Sequence, residues 1–146
     1  MQISPHRGID DILLGSSRTE IQAQLGQPEK KLQGQYDDDV ESEVWTYRLL
    51  RLELGFDSDV DFRLARITTT HPDVNIKGFN PIGLAENFLL MKYPNLELQL
   101  DYGDEGKDYV DRATDISFWL DQGKVSNITI YPEYDELENV PRWPRI

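Results

Sequence analysis

The sequence contains no cysteine, so disulfides, thiol nucleophiles and thiolate metal sites are excluded. Histidine is nearly as scarce. Only His6 and His71 can serve as imidazole bases or ligands. Neither stands in a His-x-x-x-His pair, beside a serine elbow or near a glycine-rich phosphate loop, so zinc and triad chemistry have no framework. Positive charge is also short: 15 Lys and Arg face 27 Asp and Glu, a formal net charge of -12. Phosphate backbones and anionic membranes require a basic face, which argues against nucleic acid and lipid surfaces and favours a basic protein partner. No apolar run is long enough to span a bilayer, and Met1 to Gly8 lacks the apolar core of a signal peptide. A cytoplasmic location without membrane insertion is therefore expected.

What is present is enough for a folded interior: 146 residues, 38% of them apolar and 10% aromatic, fit one domain with a real core. The organising stretch is Gly15 to Pro28. Ser17 and Glu20 have the spacing of a capping box, Ile21 and Leu25 lie four apart on one helical face, and Gly26 with Pro28 ends the helix. So short a helix is marginal alone and needs an apolar surface to pack on. After it, residues 29–43 are polar and unpatterned and read as an exposed loop. Val44 to Tyr47 then reads as a strand, with Trp45 and Tyr47 in the phase of Leu49 and assigned to the core. Leu52, Leu54 and Phe56 alternate with Glu53 and Gly55, the period of a half-buried strand, and Phe62 to Thr70 follows as its partner.

The second half repeats this order. Gly78 to Pro94 supplies a second helix, with Asn80 as cap, Pro81 at its first position and Leu84, Phe88 and Met91 as its inward stripe. Leu96, Leu98, Leu100 and Tyr102 alternate with Glu97, Gln99 and Asp101; residues 103–115 read as an acidic loop; Ile116 to Asp121 and Val125 to Thr129 close a hairpin. The chain thus reads as a single domain, 1–146, of two repeats (about 9–73 and 74–132) and a C-terminal tail, 133–146.

Gly15, the helix ending in Leu25, Gly26 and Pro28, the pair Trp45 and Tyr47, Leu52 to Asp57 and Leu64 to Ile67 together resemble the SmpA/OmlA-type outer-membrane assembly domain. The tandem duplication resembles the β-lactamase inhibitory protein family. The second half departs from that pattern, with Met91 to Pro94 at its helix end and no Trp-x-Tyr strand. The resemblance implies an α+β fold, two tandem repeats of short helices packed on one face of an antiparallel β-sheet. It also implies an open opposite face that grips a partner protein, an architecture similar to that of several bacterial immunity proteins.

No catalytic motif is found. Asp57, Asp59 and Asp61 begin like a calcium loop, but Phe62 and Thr68 stand where glycine and glutamate are needed. His71-Pro72-Asp73 reads as a turn after a strand, and Asn127 to Thr129 matches a glycosylation acceptor without use in a bacterial cytoplasm. Strand phase is more informative. If Ile116, Phe118 and Leu120 face the helices, then Trp119 and Asp121 face outward, joined by Tyr131 on the next strand and by Glu97 and Asp101 on another. Aromatic anchors among acids suit a basic partner, and Asp37, Asp38 and Asp39 add a flanking acidic cluster. Trp143 in the tail is expected to dock on its own domain. The expected function is non-catalytic: an immunity-type inhibitor that neutralises a basic toxin or enzyme by occluding its active site, with no cofactor and no metal. The alternatives are an envelope assembly or scaffold protein, and a carboxylate-dependent hydrolase.

Overall fold

The computed structural model describes residues 1–37 and 39–144. Three short strands open the chain: β1 (Gln2–Ser4), β2 (Gly8–Ile9) and β3 (Ile12–Leu13). Helix α1 (Arg18–Leu25) follows, then a run of four antiparallel strands, β4 (Lys30–Asp37), β5 (Val40–Tyr47), β6 (Leu52–Asp57) and β7 (Arg63–Thr69). After β8 (Asn75–Ile76) and helix α2 (Glu86–Lys92) comes a second antiparallel run, β9 (Glu97–Asp101), β10 (Lys107–Asp111), β11 (Ile116–Asp121) and β12 (Lys124–Ile130). A small hairpin, β13 (Glu133–Asp135) with β14 (Val140–Arg142), ends it.

The two runs join edge to edge through β7 and β12, giving one eight-stranded sheet in the order β4-β5-β6-β7-β12-β11-β10-β9. Period-two alternation gives this sheet a distinct inner face. Trp45, Leu54, Phe56, Ile67, Phe118, Ile128 and Ile130 are buried in one core cluster with Ile3, Ile9, Ile12 and Val74. The small sheet β3-β2-β1-β8 supplies much of the opposing layer, and each helix adds one buried residue, Ile21 and Leu89. β8 pairs in parallel with β1, so residues 75 and 76 complete a sheet begun at the N-terminus.

This corrects the expected α+β class of two tandem repeats of short helices packed on one face of a sheet. The chain is mostly β: of the described residues 48% lie in strands and 15% in helices, with two α-helices and three sheets among them. Two misread stretches account for the difference. The polar residues from Lys30 to Glu43 pair as β4 and the start of β5, because an edge strand buries little and tolerates lysine, glutamine and glutamate. Residues 103–115, expected as a loop, hold β10. The second helix is also shorter than the stripe suggested. Asn80 accepts from the Ile82 amide in a turn, and Gly83 and Leu84 bond to Val125 on β12, so α2 begins only after Ala85. Phe88 and Met91, expected to face inward, are 55% and 75% exposed.

The first helix is built as its signals specify. The Ser17 hydroxyl accepts from the Glu20 amide at 3.1 Å, the Glu20 carboxylate accepts from the Ser17 amide at 2.9 Å, and the Gly26 amide closes on Gln22. Trp45 and Tyr47 are core, whereas Leu49 stands in the turn, 92% exposed. The tail docks. Trp143 lies flat on Gly15, where an added Cβ would come within 2.9 Å of the indole.

Among the described residues two acids are buried, Glu43 and Asp57. Glu43 accepts from the Trp45 indole and from Gln33 at 3.2 Å, and pairs with Arg18 at 3.2 Å. Burial pushes its carboxyl up, but these donors and cations more than offset that and hold it below the usual value. A carboxylate whose folded pKa is depressed stabilises the fold above its unfolded pKa, about 4.3, and loses that contribution as pH falls through the folded value. Glu43→Gln is therefore expected to cost about 1–3 kcal/mol at neutral pH and to flatten the loss of stability below about pH 4. Urea unfolding at several pH values checks this, and an unchanged acid slope would contradict it.

Candidate functional site

On the outer face of the eight-stranded sheet, Pro132 and the β13 residue Tyr134 reach the β9–β10 end, near the buried Val110. The centre of this face is polar and tied together. The Thr68 and Thr129 hydroxyls share a hydrogen bond of 2.8 Å across the β7–β12 junction. Further along, Arg66 crosses Gly55 to reach both carboxylate oxygens of Asp57 at 2.7 Å and the Ser42 hydroxyl at 2.6 Å. Asp57, the first acid of the calcium-like stretch, is thus engaged in a buried ion pair.

Three shallow hollows adjoin on this face, with volumes of about 430, 330 and 410 Å³. Glu53, Thr68 and Asn127 line both the first and the second, and Asp108, Ser117 and Tyr131 line both the second and the third. Together they form one groove running across the strands. Trp119 stands in its middle hollow, half-buried, opposite Asn127 on β12 and Asp108 on β10. Its indole rests on Gly106: a Cβ there would come within 2.1 Å of the ring, so only glycine lets the chain pass so close.

Beside it, Asp108 is half-buried and makes no hydrogen bond or ion pair among the described residues, and burial pushes its carboxyl up. An uncompensated carboxyl is an unfavourable thing to hold next to a tryptophan. A cation or donor brought by a partner would satisfy it.

The expected site residues are only partly brought together. Trp119 and Tyr131 share the groove, and Asp121 keeps the phase of Trp119 at the exposed end of β11. Glu97 pairs with Val110 on the Trp119 side of the sheet and is tied to Arg112 at 2.8 Å. Asp101 is not on this face. Leu100 and Leu98 oppose the consecutive residues Asp108 and Tyr109, so Gln99 is an extra residue that switches the phase, and Asp101 pairs with Lys107 on the inner side. Asp37, at the end of β4, and Asp39, exposed in the following turn, belong to the opposite edge of the sheet, far in strand order from β11. Asp38 lies outside the described residues. Asp108 reads in the sequence as one acid of the loop 103–115 flanking this face, because its acidic, glycine-flanked surroundings hide the strand that sets it beside Trp119. The alternation of Lys107, Tyr109 and Asp111 with Asp108 and Val110 was the signal available.

Replacing Gly106 with alanine tests this geometry. Gly106→Ala is expected to displace the Trp119 indole, destabilising the fold by about 1–3 kcal/mol and shifting tryptophan emission to the red. A variant that keeps both stability and emission would show that the indole does not rest there.

No family model matches the chain, and no curated protein matches it. Among solved structures, it is similar to a DUF4309 family protein, YjgB, from Bacillus subtilis subsp. subtilis str. 168, at 12% identity and a TM-score of 0.55, over 86% of this chain and 84% of that one. It is also similar to an extracellular protein containing a SCP domain from Bacillus anthracis str. Ames, at 10% identity and a TM-score of 0.51, over 90% of this chain and 50% of that one. Neither is described as a β-lactamase inhibitory protein or a SmpA/OmlA-type domain, and at these identities what the chain shares with them is a fold.

Proposed function

We propose that the protein is a non-catalytic binding module that holds a basic protein partner on the outer face of its large sheet, acting as an immunity-type inhibitor by occlusion. The observation that carries this reading is Asp108 beside Trp119, a half-buried carboxyl without a partner among the described residues next to an aromatic anchor in the outer groove. An arginine or lysine of the partner would pair with Asp108 while its apolar stem covers the indole, joining burial to charge in one contact. The net charge of -12 supports the sign of the partner and favours fast, salt-sensitive encounter. Tyr131 and the threonines around it supply the hydrogen-bonding rim. A cytoplasmic site of action belongs to the same proposal.

Capture of the tagged protein's partner from its native lysate at low salt, followed by affinity measurement with variants, tests this. Trp119→Ala is expected to weaken binding by about 2 kcal/mol or more. Asp108→Asn is expected to slow association and reduce the salt dependence. If neither substitution changes the affinity of a captured basic protein, the outer face is not the site.

A further inference from the structure

The layer opposite the large sheet leaves a gap far from the outer groove. Where β8 and the C-terminal end of α2 meet the inner side of β10 and β11, a cavity of about 320 Å³ opens, more enclosed than the hollows of the outer face. Its walls are aromatic. Tyr93 lies against Phe118 with ring centroids 5.2 Å apart, and Phe79 meets Tyr93 edge-on at 6.3 Å. Rings held this way leave apolar area available to a guest ring and fix how it can enter.

The charge around the cavity runs against that of the chain. Lys77 and Lys92 both line it, and neither is ion-paired with an acid among the described residues. Lys92 places its ammonium 4.6 Å from the Phe79 ring centroid, a contact that positions the cation at the edge of the aromatic wall. The Tyr93 hydroxyl has no hydrogen-bond partner among the described residues. Burial, and then the nearby charge of Asp111, push its pKa up, so it stays a donor throughout the neutral range. Asp111, also at the cavity, accepts from the Ala113 amide at 3.1 Å.

We propose that this cavity binds a small aromatic monocarboxylate, its ring against Phe79, Tyr93 and Phe118 and its carboxylate met by Lys77, Lys92 and the Tyr93 hydroxyl. Size, wall chemistry and charge point the same way. The volume lies at the low end for ligand pockets, about 300–1,000 Å³, which suits a single-ring acid and excludes nucleotides and long-chain lipids. Apolar walls with a few converging polar groups are the usual composition of such sites. Because the cavity sits on the inner side of the sheet, this proposal is independent of the partner-binding reading.

The test is amide NMR of the full chain titrated with 3-phenylpropionate, with 3-phenylpropionamide as the neutral control. Shifts are expected around Lys77, Tyr93, Thr114 and Phe118, saturating with a Kd on the order of 1 mM for a ligand of this size. The amide should bind about tenfold more weakly. Lys77→Gln combined with Lys92→Gln alters only exposed side chains and is expected to weaken the acid about tenfold, and Tyr93→Phe, which keeps the ring, several-fold. The proposal is overturned by an absence of shifts at these amides up to about 10 mM, well beyond the expected Kd, by equal affinity for acid and amide, or by an unchanged Kd in the lysine double variant.

Discussion

Everything described here depends on the junction between β7 and β12. Only three residue pairs join the two four-stranded runs: Ile67 with Ile130, Thr68 with Thr129, and Thr69 with Ile128. On the inner side Ile67, Ile128 and Ile130 are fully buried, and on the outer side two threonine hydroxyls bond at 2.8 Å. The first pattern makes one core out of residues from both halves. The second keeps the outer face polar yet continuous, so that Glu53 and Thr68 from one run line the same hollow as Trp119 and Asp108 from the other. Without this junction there would be two small, exposed-edged sheets and no groove.

The asymmetry of the sheet follows from where the chain spends its apolar residues. Inner positions are taken by isoleucine, leucine, phenylalanine and Trp45, and the small sheet, the helices and the segments leading into them are sufficient to cover those positions. The outer positions around the junction hold threonine, serine, asparagine and charged residues, with Trp119 and Tyr131 among them and Val110 and Leu100 toward the β9 edge. Trp119 is held by Gly106 rather than by the tail, which instead places Trp143 on Gly15. A half-buried tryptophan beside a carboxyl unpaired among the described residues is therefore a property of the strands themselves.

Local signals were legible in the sequence and long-range ones were not. The capping box of Ser17 and Glu20, the alternation of Leu52, Leu54 and Phe56, and the outward phase of Trp119 all depend on neighbours a few residues away, and each stands as read. What failed depends on pairing partners. Lys30 to Glu43 looked like a loop because an edge strand has no apolar period to show. Asn80 and Pro81 looked like a helix start because the turn they form is fixed by β12, more than forty positions later. Asp101 was assigned to the wrong face because one bulge residue, Gln99, reverses every side chain after it, and nothing in the strand's own pattern announces it.

The claim on which the functional reading rests is that the outer face is open around Thr68, Thr129 and Trp119. The most direct measurement is NMR relaxation enhancement by a soluble, uncharged paramagnetic agent, read at side chains on the two faces. Strong enhancement is predicted for the methyl groups of Thr68 and Thr129 and the indole of Trp119, with almost none at Ile67, Ile128 and Phe118. Equal protection of both sets would mean that something already covers the outer face, and would contradict the account.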